Sequence, residues 1–133
     1  MQDAANMPVT RVEVGLGARA YDILIGPGLI ARAGGEIARR MECVRCAVVT
    51  DENVAAAHLD ALADSLARAG IDHSAITLGP GEKTKSFGPS EQVVDALLGA
   101  RLERGDLVIA LGGGVIGDLA GFAAGVVRRG MGF

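Results

Sequence analysis

The sequence predicts an α/β fold: a Rossmann-like parallel sheet with helices on both faces, preceded by an N-terminal β-hairpin. Two short unbroken apolar runs, Cys46-Ala-Val-Val-Thr50 and Leu107-Val-Ile-Ala-Leu111, mark strands buried on both faces. Such strands alternate with segments of helical period, and that alternation folds into a parallel sheet with right-handed crossovers. Half of the 133 residues are hydrophobic, yet there are three Phe, one Tyr and no Trp. The core is therefore aliphatic, as parallel sheets prefer. The length suits one domain with a sizeable core.

Taken in order, Arg11–Gly15 and Tyr21–Ile25 alternate apolar and polar residues around Gly15-Leu-Gly-Ala, which predicts the hairpin. Gly26-Pro-Gly28 stops it. Leu29, Ile30, Ala33, Ile37 and Met41 then fall on one helical face, despite Gly34 and Gly35. After the strand Cys46–Thr50, Asp51-Glu-Asn53 can cap a helix with the stripe Leu59, Leu62, Ala63, Leu66 and Ala69. Gly70 is its stop signal. Ser74–Leu78 is the next strand, and Gly79–Ser86 is a polar loop. Ser90 is expected to cap a helix that turns Val93, Val94, Leu97, Leu98 and Leu102 inward, with Gly105 ending it. Strand Leu107–Leu111 follows, then Gly112-Gly-Gly114 and a small-residue helix running to about Val127.

That last stretch carries the strongest chemical signal. The first N–H groups of a helix have no partner within it, and the helix dipole makes that end an anion site. Glycine lets a phosphate approach the backbone and permits positive φ. The spacing Gly112-x-Gly114-x-x-Gly117 matches the dinucleotide fingerprint, although it follows a late strand and not the first βα unit. No Lys-Ser/Thr pair follows, so it is not a nucleoside-triphosphate loop of the Walker type. Two other readings stand beside it. The glycines could serve close helix–sheet packing, and the row Gly113, Gly117, Gly121, Gly125 suits that. Leu107–Val127 is also long and apolar enough to span a bilayer. Asp118 at its middle and three successive glycines argue against a membrane span.

In open parallel sheets ligands bind beyond the carboxyl ends of the strands. Asp51-Glu-Asn53, Gly79–Ser86 and Gly112–Asp118 all meet that criterion. Asp51 either accepts from ribose hydroxyls, favouring NAD over NADP, or caps its helix. Glu82 and Lys85 either hold ribose and nicotinamide groups or form a solvated charged loop. Asp118 is expected in the first turn of the glycine helix, where it could bind a hydroxyl. Cys43 and Cys46 form a single CxxC, half of a zinc site, and lead into a strand where a thioredoxin-type pair would follow one. They are expected to be ordinary thiols of a reducing cytoplasm. His58 and His73, the latter just before a strand, read as surface or boundary residues. A net charge of −3 argues against a nucleic-acid partner. The first residues lack the basic and apolar regions of a secretory signal.

Three segments together resemble 3-dehydroquinate synthase: Thr50-Asp-Glu-Asn-Val54, Pro80-Gly-Glu-Lys-Thr-Lys-Ser86 and Leu111-Gly-Gly-Gly-Val-Ile-Gly-Asp-Leu-Ala-Gly-Phe-Ala-Ala124. The wider superfamily, including glycerol dehydrogenase, typically has serine where this chain has Val115. The resemblance covers essentially the whole chain but only the N-terminal part of that enzyme. It therefore implies that residues 1–133 are its N-terminal NAD-binding α/β domain, without the C-terminal metal and substrate domain. It places Asp51 and Asn53 near adenosine, Glu82 and Lys85 at ribose and nicotinamide, and Gly113, Gly114, Val115, Ile116, Gly117 and Asp118 along the dinucleotide. Arg129 would contact substrate, with Arg128 the alternative because Val127-Arg-Arg-Gly replaces the usual Tyr-Met-Arg-Gly.

The resemblance further implies conversion of 3-deoxy-D-arabino-heptulosonate 7-phosphate to 3-dehydroquinate and phosphate in the shikimate pathway. NAD serves as a transient oxidant, and zinc or cobalt is held by a glutamate and two histidines in the absent domain. The full-length enzyme would be a cytoplasmic homodimer, and these residues alone would not turn over. The competing functions are an NAD-dependent polyol dehydrogenase of the glycerol-dehydrogenase type and a non-catalytic nucleotide-binding module. Val115 and the Pro80–Ser86 loop favour the synthase.

Overall fold

The computed structural model describes residues 8–15, 17, 20–42, 45–79, 87–103 and 106–127, with residues 87–90 as backbone only. Strand β1 (Thr10–Val14) pairs antiparallel with β2 (Tyr21–Ile25), the expected hairpin. A 3-10 turn at Ile30–Arg32 leads into α1 (Ala33–Arg40). Strand β3 (Arg45–Asp51) is followed by one helical run, composed of α2 (Glu52–Val54), a π-helical stretch at Ala55–Leu59, and α3 (Asp60–Arg68). Then come β4 (Asp72–Leu78), α4 (Phe87–Gly99), β5 (Leu107–Leu111) and α5 (Gly114–Val126).

β3 is the centre of a three-stranded parallel sheet ordered β4-β3-β5. Its side chains alternate between faces, as the strand period requires. Ala47 and Val49 enter a core with Val93 and Leu97 of α4 and with Ile116, Leu119, Ala120, Ala123 and Ala124 of α5. Cys46 and Val48 enter a second core with Leu62 and Leu66 of α3, against which Ile30, Ala33 and Ile37 pack. Helices thus cover both faces, and the aliphatic composition builds both cores. Full burial of a side chain such as Leu66 or Leu97 contributes roughly 1.5–3 kcal/mol.

The α1–α3 contact explains one glycine. The Gly34 amide donates to Ser65 Oγ at 2.8 Å, and a Cβ on Gly34 would lie 2.2 Å from the Ser65 carbonyl oxygen. No side chain larger than hydrogen fits there. Gly70 has φ +75° just past α3, and the Ile71 amide returns to the Leu66 carbonyl at 2.9 Å. Gly70 is therefore the helix stop that the sequence predicts.

Several expectations are corrected. Met41 lies beyond α1 and is exposed, because the chain turns extended there. Ser90 lies inside α4, which begins at Phe87 with Pro89 in its first turn, where a missing N–H costs nothing. Leu98 points to solvent. Leu102 is buried, but from beyond the helix end, after Arg101 has turned left-handed at φ 55°. Gly105, the expected stop, is outside the described residues. His73 lies within β4, not before it, and His58 lies in the π-helical stretch; both are exposed. Leu107–Val127 is divided between β5 and α5, and among the described residues no helix is long and apolar enough to cross a membrane.

Candidate functional site

The parallel register sets the carboxyl ends of the three strands at one sheet edge. Thr50 pairs with Leu111, and Asp51 with Leu78. From the centre strand β3 the chain continues into the helices of the Cys46–Val48 face. From the neighbouring β5 it continues into α5 on the opposite face. Adjacent parallel strands whose loops leave to opposite faces form a topological switch point, the place where such sheets open a ligand crevice. Asp51 stands on one rim and Gly112–Gly114 on the other.

Asp51 is half-buried, and its Oδ1 accepts from the Val54 amide at 2.8 Å. The capping role is therefore real. It engages one carboxylate oxygen and orients the other. Asn53, two residues on, is exposed within α2.

On the β5 side, α5 begins at Gly114 with Gly113 as N-cap at φ −85°, ψ −167°, and no side chain caps it. The first backbone bond returning to the cap runs from the Gly117 amide to the Gly113 carbonyl at 3.0 Å. The amides of Gly114, Val115 and Ile116 precede it and have no partner within the helix. Gly112, Gly113 and Gly114 are exposed.

The glycines here differ from the sequence expectation in an informative way. Gly113 has ordinary negative φ, and among the described glycines only Gly17, Gly28 and Gly70 have positive φ. Conformational freedom is not what these positions need. A Cβ on Gly112 would come within 3.0 Å of Ile116, so Gly112 is a packing glycine. A Cβ on Gly113, Gly114 or Gly117 would meet nothing within 4 Å. Gly125 is equally open, so the expected packing role of the glycine row is not seen at Gly113, Gly117 and Gly125. The sheet contact of α5 is made instead by Ile116, Leu119, Ala120, Ala123 and Ala124.

Ile116 is 2% exposed, its side chain in the core, while Val115 is half-buried. Asp118 is exposed but belongs to the second turn of α5, because no acidic residue occupies the first. The dipole argument for it weakens accordingly. Glu82, Lys85 and Arg129, together with Cys43, lie outside the described residues. Cys46 is buried within β3. Among the described residues no group of three or more His, Cys, Asp or Glu side chains is placed to hold a metal ion.

In the sequence the triplet Gly112–Gly114 reads as one unit. The separate task of Gly112 lay in its i+4 neighbour, Ile116, which the helix period turns back toward the strand.

Residues 75–133 match the family model described as 3-dehydroquinate synthase N-terminal. A 3-dehydroquinate synthase of Mesorhizobium japonicum is 69% identical over 130 residues, covering 98% of this chain and 34% of that protein. The chain is similar to 3-dehydroquinate synthase. A second such enzyme, from Brucella anthropi, is 63% identical over 125 residues, covering 94% of this chain and 33% of that protein. The chain spans about a third of the length of the curated relatives it matches.

Among solved structures, 2-deoxy-scyllo-inosose synthase complexed with carbaglucose-6-phosphate, NAD+ and Co2+ shares the fold. Its TM-score is 0.79 at 20% identity, with 92% of this chain and 33% of that one covered. The 2-epi-5-epi-valiolone synthase of Streptomyces hygroscopicus, solved with NAD+ and Zn2+ bound, gives 0.69 at 26% identity, with 88% and 32% covered.

Proposed function

We propose that residues 1–133 are the N-terminal NAD-binding domain of a 3-dehydroquinate synthase. One observation carries this reading. Gly113 and Gly114 are glycines that neither φ nor packing demands, at an exposed helix start on the rim opposite Asp51. Open backbone at a helix start suits the close approach of a pyrophosphate.

The free amides of Gly114, Val115 and Ile116 hold the pyrophosphate, and Gly117 leaves room beside them. Asp51 keeps its helix cap with Oδ1 and accepts from a ribose hydroxyl with Oδ2, so that a 2′-phosphate is repelled and NAD preferred to NADP. Asn53 lies at the adenosine end, and Asp118 accepts from a hydroxyl one turn into α5. Glu82 and Lys85 hold ribose and nicotinamide groups, and Arg129 contacts the substrate. When bound, NAD supplies a transient oxidation of a substrate hydroxyl, which acidifies the neighbouring C–H so that phosphate can leave.

The full-length enzyme converts 3-deoxy-D-arabino-heptulosonate 7-phosphate to 3-dehydroquinate and phosphate. It does so as a cytoplasmic homodimer whose zinc or cobalt is held outside these residues. The high identity to 3-dehydroquinate synthases supports this over a polyol dehydrogenase. The 133-residue chain alone binds NAD without turning over. The test is phosphate release with substrate, NAD and zinc, from the chain alone and from a full-length relative. Release by the full-length enzyme only is expected. Sustained release by the chain alone, or net NADH accumulation by the full-length enzyme, contradicts the proposal.

A further inference from the structure

On the far side of the sheet from α5, α1 and α3 border an open cleft of about 490 Å3. Arg32, Glu36, Arg39 and Arg68 line it, with Gly35 between them. Three guanidiniums against one carboxylate leave a surplus of positive charge in a chain whose net charge is −3. The carboxylate is already shared. Glu36 lies 3.3 Å from Arg39 and 3.6 Å from Arg32, and it also pairs with Arg40. Its part is to order the guanidiniums. Arg68 donates to the Ala31 carbonyl at 3.0 Å, which fixes its head group against the 3-10 turn before α1 and leaves further donors for a ligand.

Gly35 is the second observation. Glycine inside a helix weakens it. Gly34 is explained by the Ser65 carbonyl 2.2 Å from where its Cβ would be, whereas a Cβ on Gly35 would meet nothing within 4 Å. Gly35 is also not among the positive-φ glycines. Neither packing nor backbone conformation asks for glycine there, and it opens the wall of the cleft.

We propose that this cleft binds a small phosphate-bearing molecule, gripped by Arg32, Arg39 and Arg68 with Gly35 as the point of closest approach. Guanidinium forks match phosphate oxygens bidentately, and three of them suit a multiply charged group. The site is distinct from the crevice at the strand ends and does not depend on the function proposed above.

The test is amide spectroscopy of the 133-residue protein titrated with sodium pyrophosphate, inorganic phosphate and sodium chloride at constant ionic strength. Saturable shifts at Gly35, Glu36 and Ala69 with pyrophosphate, and none with chloride, are expected. Phosphate matching pyrophosphate supports a site for one phosphate group, and tighter pyrophosphate supports a site for two. Arg39→Gln with Arg68→Gln weakens binding at least about tenfold while circular dichroism is unchanged. Gly35→Ala raises Tm and also weakens binding, which a merely structural glycine would not do. Shifts that never saturate, that chloride reproduces, or that persist with unchanged affinity in both variants overturn the proposal.

Discussion

Arg45 and Asp106 join the starts of the two strands that frame the crevice: the Arg45 guanidinium donates to Asp106 Oδ2 at 2.9 Å. The same oxygen accepts from the Glu103 amide at 2.8 Å, and Arg45 also reaches the Arg101 carbonyl at 2.9 Å. One buried carboxylate thus organises the turn between α4 and β5 and ties it to β3. Asp106→Ala is expected to lower stability by about 1–3 kcal/mol, the range for a charge-assisted bond to a buried group. Asp106→Asn, which retains an acceptor, is expected to lose less. Urea denaturation of the two variants measures the difference.

Gly34→Ala is expected to be severely destabilising. Its Cβ would fall 2.2 Å from the Ser65 carbonyl oxygen and 2.6 Å from the carbonyl carbon, and rigid backbone cannot yield as a flexible side chain does. Overpacking of this kind costs about 1–3 kcal/mol, occasionally more. A thermal melt of the variant close to wild type would mean that α1 and α3 separate easily.

Asp51 combines two tasks that substitutions can separate. Asp51→Asn keeps an oxygen to accept from the Val54 amide, so stability is expected to change by a few tenths of a kcal/mol, while preference for NAD over NADP narrows. Asp51→Ala removes the cap as well, at a cost of about 1 kcal/mol. Paired melts and titrations with both dinucleotides check this.

The hydrogen bond from Arg40, with Arg39 and Arg32 nearby, holds the Glu36 carboxyl below its ordinary value, with desolvation opposing the shift. A carboxyl depressed in the folded state contributes stability above its unfolded pKa and loses it as pH falls through the folded one. Stability should therefore decline on the acid side of the usual glutamate range. Glu36→Gln is expected to flatten that limb in denaturation curves measured across pH.

Much of this was legible in the residues. The unbroken runs Cys46–Thr50 and Leu107–Leu111 read as strands covered on both faces, and Tyr21–Ile25 and the Gly70 stop were equally plain. The corrections arise where a local signal met a tertiary one. Ser90 reads as a cap, but Pro89 is at home in a first helical turn, so the helix starts earlier. Leu98 shares the period of Leu97 without sharing its face. The strand ends were recognisable as a candidate site, but which glycine serves packing and which leaves open space depends on the direction of Ile116. The arginine cleft was not legible, because Arg32 and Arg39 meet Arg68 only once α1 packs on α3, through contacts between residues as far apart as Gly34 and Ser65.

The most direct test is NAD binding by the unmodified chain and by Gly113→Ala and Gly114→Ala. Neither alanine meets a neighbour, so both variants should fold: Gly114→Ala, within the helix, keeps or raises Tm, whereas Gly113→Ala, at the N-cap, lowers it slightly. Saturable NAD-induced shifts are expected at the amides of Gly114–Gly117 in the unmodified chain, with binding weakened at least about tenfold by either alanine. Unmoved amides at saturating NAD, or full affinity in both folded variants, would contradict the proposed NAD site.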